Sequence, residues 1–179
     1  MEKAVLKFYQ NILKLKKLMR TGWLERGVSE PENVAAHSFA VALLAAVLAD
    51  LKGVNVLDAV RMALIHDLPE AVTGDLTPEM KKKFERLEEV ELGVFEDLAK
   101  ELPEDVGSKY LEAWRRYSRG EDPVARLVKD VDKLEMGLQA LAYIREGYSE
   151  AREIYESALK EIRDEEIRRI LEAAGRDLT

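Results

Sequence analysis

The apolar residues of this chain recur every three or four positions along almost its whole length, and this spacing constrains the fold most. Alternation with a period of two, which marks a half-buried strand, is nearly absent, and Pro and Gly fall between the periodic segments. Apolar residues make up 47% of the 179 residues, which is enough to bury a core. The sequence therefore predicts an all-α fold, with residues 1–179 forming a single compact helical bundle.

Pro, Gly and candidate capping residues set the limits of the predicted helices. Ser29 is a candidate N-cap for the second helix. In the first helix Val5 and Met19 are expected to be buried. In the fourth, the same is expected of Phe84 and Val90. The predicted helices are 2–20, 31–51, 56–67, 78–101, 104–118, 123–146 and 149–174.

The charge balance argues against a nucleic acid polymer as a partner. The net charge is −7, whereas a surface that binds nucleic acid usually needs a basic face. The run Lys81–Lys83 is expected to be the solvated start of a helix, and Trp114 and Tyr117 to pack in the core or at an interface. A small anionic substrate is still compatible, because a metal ion and one or two arginines reverse the potential locally.

No residue pattern points to secretion or to a membrane. The chain has no cysteine, which excludes disulfides, thiolate zinc sites and cysteine nucleophiles. No apolar run follows a basic amino-terminal segment, and the longest apolar stretch, Phe39 to Ala49, is too short to span a bilayer. We therefore expect a cytoplasmic protein. Asn and Gln together number only five, and with the abundant charged residues this balance resembles proteins from hot environments.

Only two histidines occur, and each lies where a buried residue is expected. His37 follows Val34 by three residues, on the apolar stripe of its helix, and the pair His66-Asp67 ends the next helix. A buried carboxylate is costly unless it is paired or binds a metal, and imidazole with carboxylate suits Zn, Mn, Fe, Co or Ni. Spacing alone leaves alternatives open: each His as a hydrogen-bonded core residue, and Asp67 as a helix cap or as the partner of an arginine such as Arg61.

Three segments of the chain resemble the HD-domain phosphohydrolases. They are Arg20-Thr21-Gly22-Trp23 with Pro31 to Ser38, then His66-Asp67-Leu68-Pro69-Glu70 with Thr73-Gly74-Asp75, then Lys129 to Leu134. The ordered series of a His, the His-Asp pair and a later Asp is specific, whereas the dipeptide alone is weak. Within this superfamily the chain looks like the small 5′-deoxynucleotidases of the YfbR type and the HD-domain-containing protein 2 group. The resemblance covers the metal-binding core, about residues 5–146, and the carboxy-terminal helix, about 149–174, follows it.

The resemblance implies a mononuclear metal centre. One divalent ion (Mn, Co, Zn, Fe, Ni or Mg) would be held by His37, His66, Asp67 and Asp132. Asp130 is a rival for the last position and is expected instead to face solvent or an arginine. Because the chain has no further histidine, a His-rich site for two metals is not expected.

The resemblance also implies residues around the metal. Glu70 and Asp75 would be catalytic, one protonating the leaving 5′-oxygen and the other orienting or deprotonating water, in either order. Arg20 would bind the phosphate through its guanidinium fork. Trp23 would pack against the sugar or base, with ordinary core packing as the alternative, and Glu32 is expected to cap its helix.

The activity implied by the resemblance is that of a metal-dependent phosphoric monoester hydrolase. We expect a 5′-deoxynucleotidase that converts deoxyribonucleoside 5′-monophosphates to deoxyribonucleosides and phosphate. Two alternatives are another mononuclear HD phosphohydrolase, acting on a nucleotide or an alarmone, and a non-catalytic helical interaction module with a structural metal. Because relatives are typically dimeric, a homodimer is also expected.

Overall fold

The computed structural model describes residues 1–176, and within this range the chain is helical and has no strand. A lone antiparallel bridge joins Met19 to Asn33. The all-α prediction is therefore confirmed. The helices are α1 (Glu2–Leu15), α2 (Thr21–Leu24), α3 (Val34–Lys52), α4 (Val56–Ile65), α5 (Glu70–Thr73), α6 (Pro78–Lys81), α7 (Leu87–Ala99), α8 (Glu104–Arg119), α9 (Pro123–Arg145), α10 (Arg152–Glu161) and α11 (Glu165–Ala174), with a 3₁₀ turn at Ser149–Ala151.

Helix α9 is the centre of the fold. It packs against α3, α4, α8, α10 and α11, and it buries residues on several sides. Gly137 allows the close approach of α11, because a Cβ at this position would lie 2.5 Å from a Leu171 methyl group. The side chain of Asp122 caps the amino terminus of α9 by accepting hydrogen bonds from the N–H groups of Val124 and Ala125. This helix therefore places its polar residues at fixed positions within the core.

Helix α3 is apolar on both its buried and its exposed faces. Its inner face carries His37 and Val41, both fully buried, and packs against α4 and α9. In the described part of the chain, α3 alone is long and apolar enough to cross a membrane, with a mean hydropathy of 2.0 over a window that is 44% buried. Its contacts are those of a core helix, and its outer face is considered below.

The start of α3 lies later than predicted. Asn33 is the N-cap, its side chain accepting from the N–H of Ala36, whereas Ser29 was the predicted cap. The backbone before α3 pairs with the segment after α1: Arg20 N–H donates to the Glu32 carbonyl, and Val34 N–H to the Leu18 carbonyl. This pairing keeps the residues before Val34 extended, so the helix cannot begin at residue 31.

The same pairing shortens α1. The predicted helix 2–20 ends at Leu15, because the residues around Met19 adopt the extended geometry of the bridge. Val5 and Met19, predicted to be buried, are 57% and 42% exposed. Leu15 is the apolar residue of α1 that is buried in the core.

The predicted helix 78–101 is broken into α6 and α7. Thr77 caps α6, which ends at Lys81, and α7 begins only at Leu87. Phe84 and Val90, predicted to be buried, are 54% and 53% exposed. Because a helix in a protein is stabilised mainly by burying an apolar face, this segment has little to hold its middle in a helix.

The predicted helix 149–174 is also broken, at residues 162–164. Ile162 is extended and almost fully buried. The side chain of Asp130, on α9, accepts hydrogen bonds from the N–H groups of Arg163 and Asp164, each at 3.0 Å. Asp164 in turn caps α11. A contact between distant residues therefore fixes this break.

Candidate metal centre and its cleft

His37 is buried completely on the inner face of α3. Its Nδ1 atom lies 2.5 Å from a carboxylate oxygen of Glu135 on α9. Its Nε2 atom lies 3.1 Å from Oδ1 of Asp132, also on α9, and 3.6 Å from Oδ2 of Asp67. The ring is therefore held at one nitrogen and points the other at two carboxylates.

His66 follows the last residue of α4 and is buried as well. Its Nδ1 atom bonds the carbonyl oxygen of Ala63, one turn earlier, at 2.7 Å. The ring of Tyr117 packs edge-on against it with centroids 5.4 Å apart, and the Trp114 indole N–H donates to the His66 carbonyl. These contacts turn the Nε2 atom of His66 toward Asp67, whose Oδ2 atom lies 3.1 Å away.

The four side chains form one group, the His–Asp cluster of His37, His66, Asp67 and Asp132, in which Asp67 is partly exposed and the other three are buried. The nearest ligand atoms of His37, His66 and Asp132 all lie within 4.8 Å of one another. The Nε2 atoms of both histidines are buried and have no hydrogen-bond partner among the described residues. Such orphaned nitrogens are costly, so they fit a site for an ion that takes them as ligands.

The electrostatics of the cluster favour a cation. Burial and Arg20 lower the pKa of His37, but the carboxylates of Asp132 and Glu135 outweigh them and raise it to about 10. Burial raises the pKa of Asp67, but the two histidines and Arg20 outweigh it and hold that pKa well below its usual range. Burial also raises the pKa of Asp132, but Lys133 and the two histidines outweigh it and hold that pKa well below its usual range. Two imidazoles and two carboxylates form a donor set for a first-row divalent metal ion.

The rival ligand Asp130 lies elsewhere. It is 7% exposed and faces the break between α10 and α11, where it bonds backbone N–H groups. The expectation that it would face solvent was wrong, and the arginine that it faces, Arg163, donates through its backbone N–H. Two residues along a helix point about 200° apart, so Asp130 and Asp132 cannot both face the histidines.

Glu70 and Asp75 border the cluster on the chain that follows α4. Glu70 is 7% exposed, and its Oε2 atom has no hydrogen-bond partner in the described structure. Burial, and then Asp67 and Asp75, raise the pKa of Glu70 to about 10. Asp75 accepts a short hydrogen bond from the N–H of Thr21 at the start of α2, and Thr21 Oγ1 donates to the Asp75 carbonyl at 2.8 Å. Asp75 therefore ties its loop to α2, while Thr77 caps the helix that follows.

The turn before Asp75 requires a glycine. Gly74 has a φ of +79°, a value that residues with a Cβ rarely adopt. The positive φ of Gly74 therefore forms the turn that brings the carboxylate of the next residue, Asp75, to the N–H of Thr21.

Arg20 lies beside the cluster, with Nη1 3.2 Å from Asp67 Oδ2. Trp23 is only 2% exposed and packs edge-on against Tyr143, with centroids 5.1 Å apart. Its indole N–H donates to Glu32 at 3.1 Å, so Glu32 holds Trp23, and Asn33 is the residue that caps α3. Burial and Glu135 raise the pKa of Glu32.

A cleft of about 1060 Å³ opens beside the cluster. A volume of this order is sufficient for a nucleotide-sized ligand. Its walls include Arg20, Trp23, Glu70 and Asp75, together with the ligand candidates His66, Asp67 and Asp132. Its walls also include the basic residues Lys81, Lys82, Arg86, Lys129 and Lys133. Lys81–Lys83 are exposed as expected, but they lie at the end of α6 and not at the start of a helix.

Three neighbours of the cluster were not assigned to the site from the sequence. Glu135 follows Asp132 by three residues on a buried face of α9, and a Glu at such a position is the signal that was available. Lys133 lies 3.2 Å from the second oxygen of Asp132. Tyr117, expected only to pack, lies against His66 and lines the cleft.

Comparisons with known proteins agree with this geometry. A sequence profile of the HD domain matches residues 12–174. The 5′-deoxynucleotidase HDDC2 of Dictyostelium discoideum is 36% identical over 145 residues, which cover 77% of this chain and 76% of that protein. The PH0347 protein of Pyrococcus horikoshii OT3 has a crystal structure that superposes with a TM-score of 0.81 at 34% identity, covering 96% of this chain and 98% of that one.

A further structural relative carries a metal. The HD phosphohydrolase DatZ of cyanophage S-2L, solved with dA and one catalytic Zn²⁺, superposes with a TM-score of 0.55 at 26% identity and covers 95% of each chain. The profile matches most of this chain, and the described structure places the motif residues around one buried group. The chain therefore belongs to the HD-domain family of metal-dependent phosphohydrolases.

Proposed function

We propose that the protein is a 5′-deoxynucleotidase, which hydrolyses deoxyribonucleoside 5′-monophosphates to deoxyribonucleosides and phosphate. One observation carries the proposal: the Nε2 atoms of His37 and His66, buried and without partners, face Asp67 and Asp132 beside a cleft of nucleotide size. The activity named for HDDC2 of Dictyostelium discoideum, and the dA and Zn²⁺ held by DatZ, support the same assignment.

We propose that His37, His66, Asp67 and Asp132 hold one divalent ion. When bound, the ion would neutralise phosphate charge and lower the pKa of a water molecule. Mn, Co, Zn, Fe, Ni and Mg are all candidates, because the donor set of two imidazoles and two carboxylates suits several of them. The single Zn²⁺ in DatZ supports one ion per site.

The surroundings of the two catalytic candidates support a division of roles. Burial is the largest cause of the raised pKa of Glu70 and does not depend on the charge of Asp67, so Glu70 is suited to protonate the leaving 5′-oxygen. Asp75 accepts the N–H of Thr21 and is thereby fixed as an acceptor, suited to orient or deprotonate the attacking water. The reverse order of roles would require Glu70 to lose its proton in a buried, negatively charged setting.

Arg20 and Trp23 are proposed to bind the substrate. The guanidinium of Arg20 borders the cleft and suits phosphate oxygens. The ring of Trp23 packs mainly in the core, so only its edge is available to a sugar or base. Lys81 and Lys82 at the rim would attract an anionic nucleotide.

Phosphate release from a panel of deoxy- and ribonucleoside 5′-monophosphates, nucleoside triphosphates and an alarmone, with Mn²⁺, Co²⁺ or Mg²⁺ added, tests the proposal. We expect deoxyribonucleoside monophosphates to be hydrolysed faster than ribonucleotides, triphosphates or alarmones. We expect Asp132→Asn to lose metal and activity. Asp130→Asn is the matched control: it alters the same helix two residues away, and we expect it to keep the metal while its melting temperature falls.

Two outcomes contradict the proposal. Full activity of folded Asp132→Asn would remove Asp132 from the site. Tight metal binding without turnover of any phosphate ester would favour a helical interaction module with a structural metal.

We also propose that the protein is a cytoplasmic homodimer and that the chain is one domain. The outer face of α3 supports the dimer: Phe39, Leu43, Val47 and Leu51, spaced by four, are between 52% and 77% exposed and form an apolar stripe. Exposed contiguous apolar surface of this kind marks interaction sites. The HD-domain match to residue 174 supports a single domain that includes the carboxy-terminal helices. The abundance of charged residues supports a source organism that lives in a hot environment.

A further inference from the structure

Glu135 contacts the metal-centre candidate His37 from the side opposite the proposed ion. Its Oε2 atom lies 2.5 Å from Nδ1 of His37, and both side chains are buried. The two residues are 98 positions apart in the chain, so this contact depends on α3 packing against α9. A buried carboxylate is costly, and here its partner is the imidazole N–H.

Helix α9 contacts both nitrogens of the same ring. Asp132 lies 3.1 Å from Nε2, and Glu135, one helical turn later, bonds Nδ1. A single rigid element therefore sets both the direction of the ring and the atom that faces the ion. His66 differs, because its Nδ1 atom bonds the backbone carbonyl of Ala63.

From this arrangement, and resting on the metal site proposed above, we infer that Glu135 is a positioning residue for His37. Its carboxylate accepts a hydrogen bond from the Nδ1–H group, which keeps that proton on Nδ1, leaves the lone pair on Nε2 and makes the imidazole a stronger ligand. The charge of Glu135 distinguishes the two histidines: His37 has a carboxylate behind it, and His66 has a neutral carbonyl.

Glu32, His37 and Glu135 also bring ligand atoms within 4.8 Å of one another, but the distances argue against a second ion. An ion with metal–ligand distances of about 2.0–2.2 Å separates neighbouring ligand atoms by roughly 3 Å or more. The 2.5 Å between Nδ1 and Oε2 is therefore a hydrogen bond. Glu32 is engaged by the indole N–H of Trp23.

Affinity for Zn²⁺ alone, measured by competition with a chelating indicator, tests the inference without turnover. We expect Glu135→Ala to bind Zn²⁺ about 10–100-fold more weakly than wild type. The affinity of Glu135→Gln should lie between these two values, because its amide oxygen still accepts the hydrogen bond from Nδ1–H but carries no charge. Glu146→Ala is the matched control, since it removes an exposed carboxylate at the end of the same helix and should leave the affinity unchanged.

A purely structural role predicts another result. Glu135→Ala would then melt at a lower temperature but bind Zn²⁺ with wild-type affinity while folded, and this result would overturn the inference. A wild type that binds no Zn²⁺ would overturn both the inference and the metal site. Zn²⁺ binding without nucleotide hydrolysis would contradict only the proposed function. The Zn²⁺ affinities of the variants would still decide the role of Glu135.

Nitrogen NMR of the Zn²⁺-loaded protein provides a test that does not depend on Glu135→Ala folding. The chain has two histidines, so ¹⁵N-histidine labelling gives two rings. We expect a proton on Nδ1 of both, one of them shifted strongly downfield by its carboxylate acceptor, and only that one moved by Glu135→Gln. A wild type in which no ring has a downfield-shifted Nδ1 proton that responds to Glu135→Gln would overturn the inference.

Discussion

Each of the two histidine rings has one nitrogen tied to the fold and one left free. Nδ1 of His37 bonds Glu135, and Nδ1 of His66 bonds the Ala63 carbonyl. Both Nε2 atoms face carboxylates. Because a ring bound at one nitrogen cannot rotate freely, the donor set is arranged before any ion binds, which reduces the cost of ordering it.

Substitution of Glu70 tests whether this side chain is the acid that protonates the leaving 5′-oxygen. We expect Glu70→Gln to lower kcat about 100–1,000-fold while the affinity for metal stays unchanged, because the amide cannot donate an acidic proton. Because burial raises the pKa of Glu70, this carboxyl group keeps its proton to a higher pH than an exposed Glu and loses it as pH rises further. The wild-type rate should therefore fall on the alkaline side, and the residual rate of Glu70→Gln should not follow that fall.

The control for this prediction is Glu146→Gln, an exposed position at the end of α9 and outside the cleft wall, which should keep wild-type kcat. An unchanged kcat in Glu70→Gln, or an equal alkaline fall in both proteins, would assign the acid role to another group. Steady-state phosphate release from pH 6 to 10, with metal affinity measured in parallel, separates these cases.

Part of the site could be predicted from the sequence, because it depends on the spacing of residues within one helix or one motif. Helical spacing puts His37 on a buried face without knowledge of any other element, and the motif series separates Asp132 from Asp130. The role of Glu135 depends on a residue 98 positions away, and spacing along one helix carries no information about such a partner. The 2% exposure of Trp23 likewise follows from Tyr143 on α9.

At the scale of the element, α9 is the part on which the site depends. It carries Asp132 and Glu135 toward the histidines and Asp130 toward the carboxy-terminal helices. Its amino terminus is fixed by Asp122, which also accepts a hydrogen bond from Arg116 of the preceding helix. The ends of α8 and α9 were predicted to within a residue or so because Pro103, Gly120 and Pro123 mark them. The break at 162–164 depends on a distant contact with Asp130, and the break at 82–86 on the lack of a buried apolar face.

Removing the cap of α9 has a predictable cost. We expect Asp122→Ala to lower the free energy of unfolding by about 1–2 kcal/mol at pH 7, since two N–H groups lose their acceptor. Burial raises the pKa of Asp122, but the hydrogen bonds from Arg116 and the backbone outweigh it and lower that pKa. The stabilisation is therefore present above the unfolded pKa and is lost as pH falls through the lower folded value.

Urea unfolding followed by circular dichroism measures this difference as a function of pH. The gap between wild type and Asp122→Ala should narrow below about pH 4, where the unfolded carboxyl group takes up its proton. Asp122→Asn is the matched variant, because Asn caps the helix without the charge: at pH 7 it should recover the part of the loss that comes from capping, and its remaining gap to wild type should close as pH falls. A gap that is the same at pH 7 and pH 2.5 would show that the ionised carboxylate is not the source.

At the scale of the whole molecule, α3 connects the metal centre to the outer surface. One face buries His37 against α9, and the opposite face exposes the apolar stripe. Uniform apolarity explains why α3 alone, among the described helices, matches the composition of a membrane span. A second copy of the chain is the occupant that we propose for the stripe, because self-association through a two-fold axis lets one apolar patch cover its own equivalent.

Leu43→Lys should separate the protomers. Leu43 is 58% exposed at the middle of the stripe, so a lysine there is tolerated in a monomer but buries a charge in a dimer. Light scattering after size exclusion should give twice the 20.3 kDa chain mass for wild type and 20.3 kDa for Leu43→Lys, with an unchanged helical spectrum. Val90→Lys, which is 53% exposed on α7 and outside the stripe, is the matched control and should stay dimeric. A monomeric wild type, or a Leu43→Lys protein that is still dimeric, would remove the stripe as the dimer interface, and wild-type binding to lipid vesicles would assign it to a membrane surface instead.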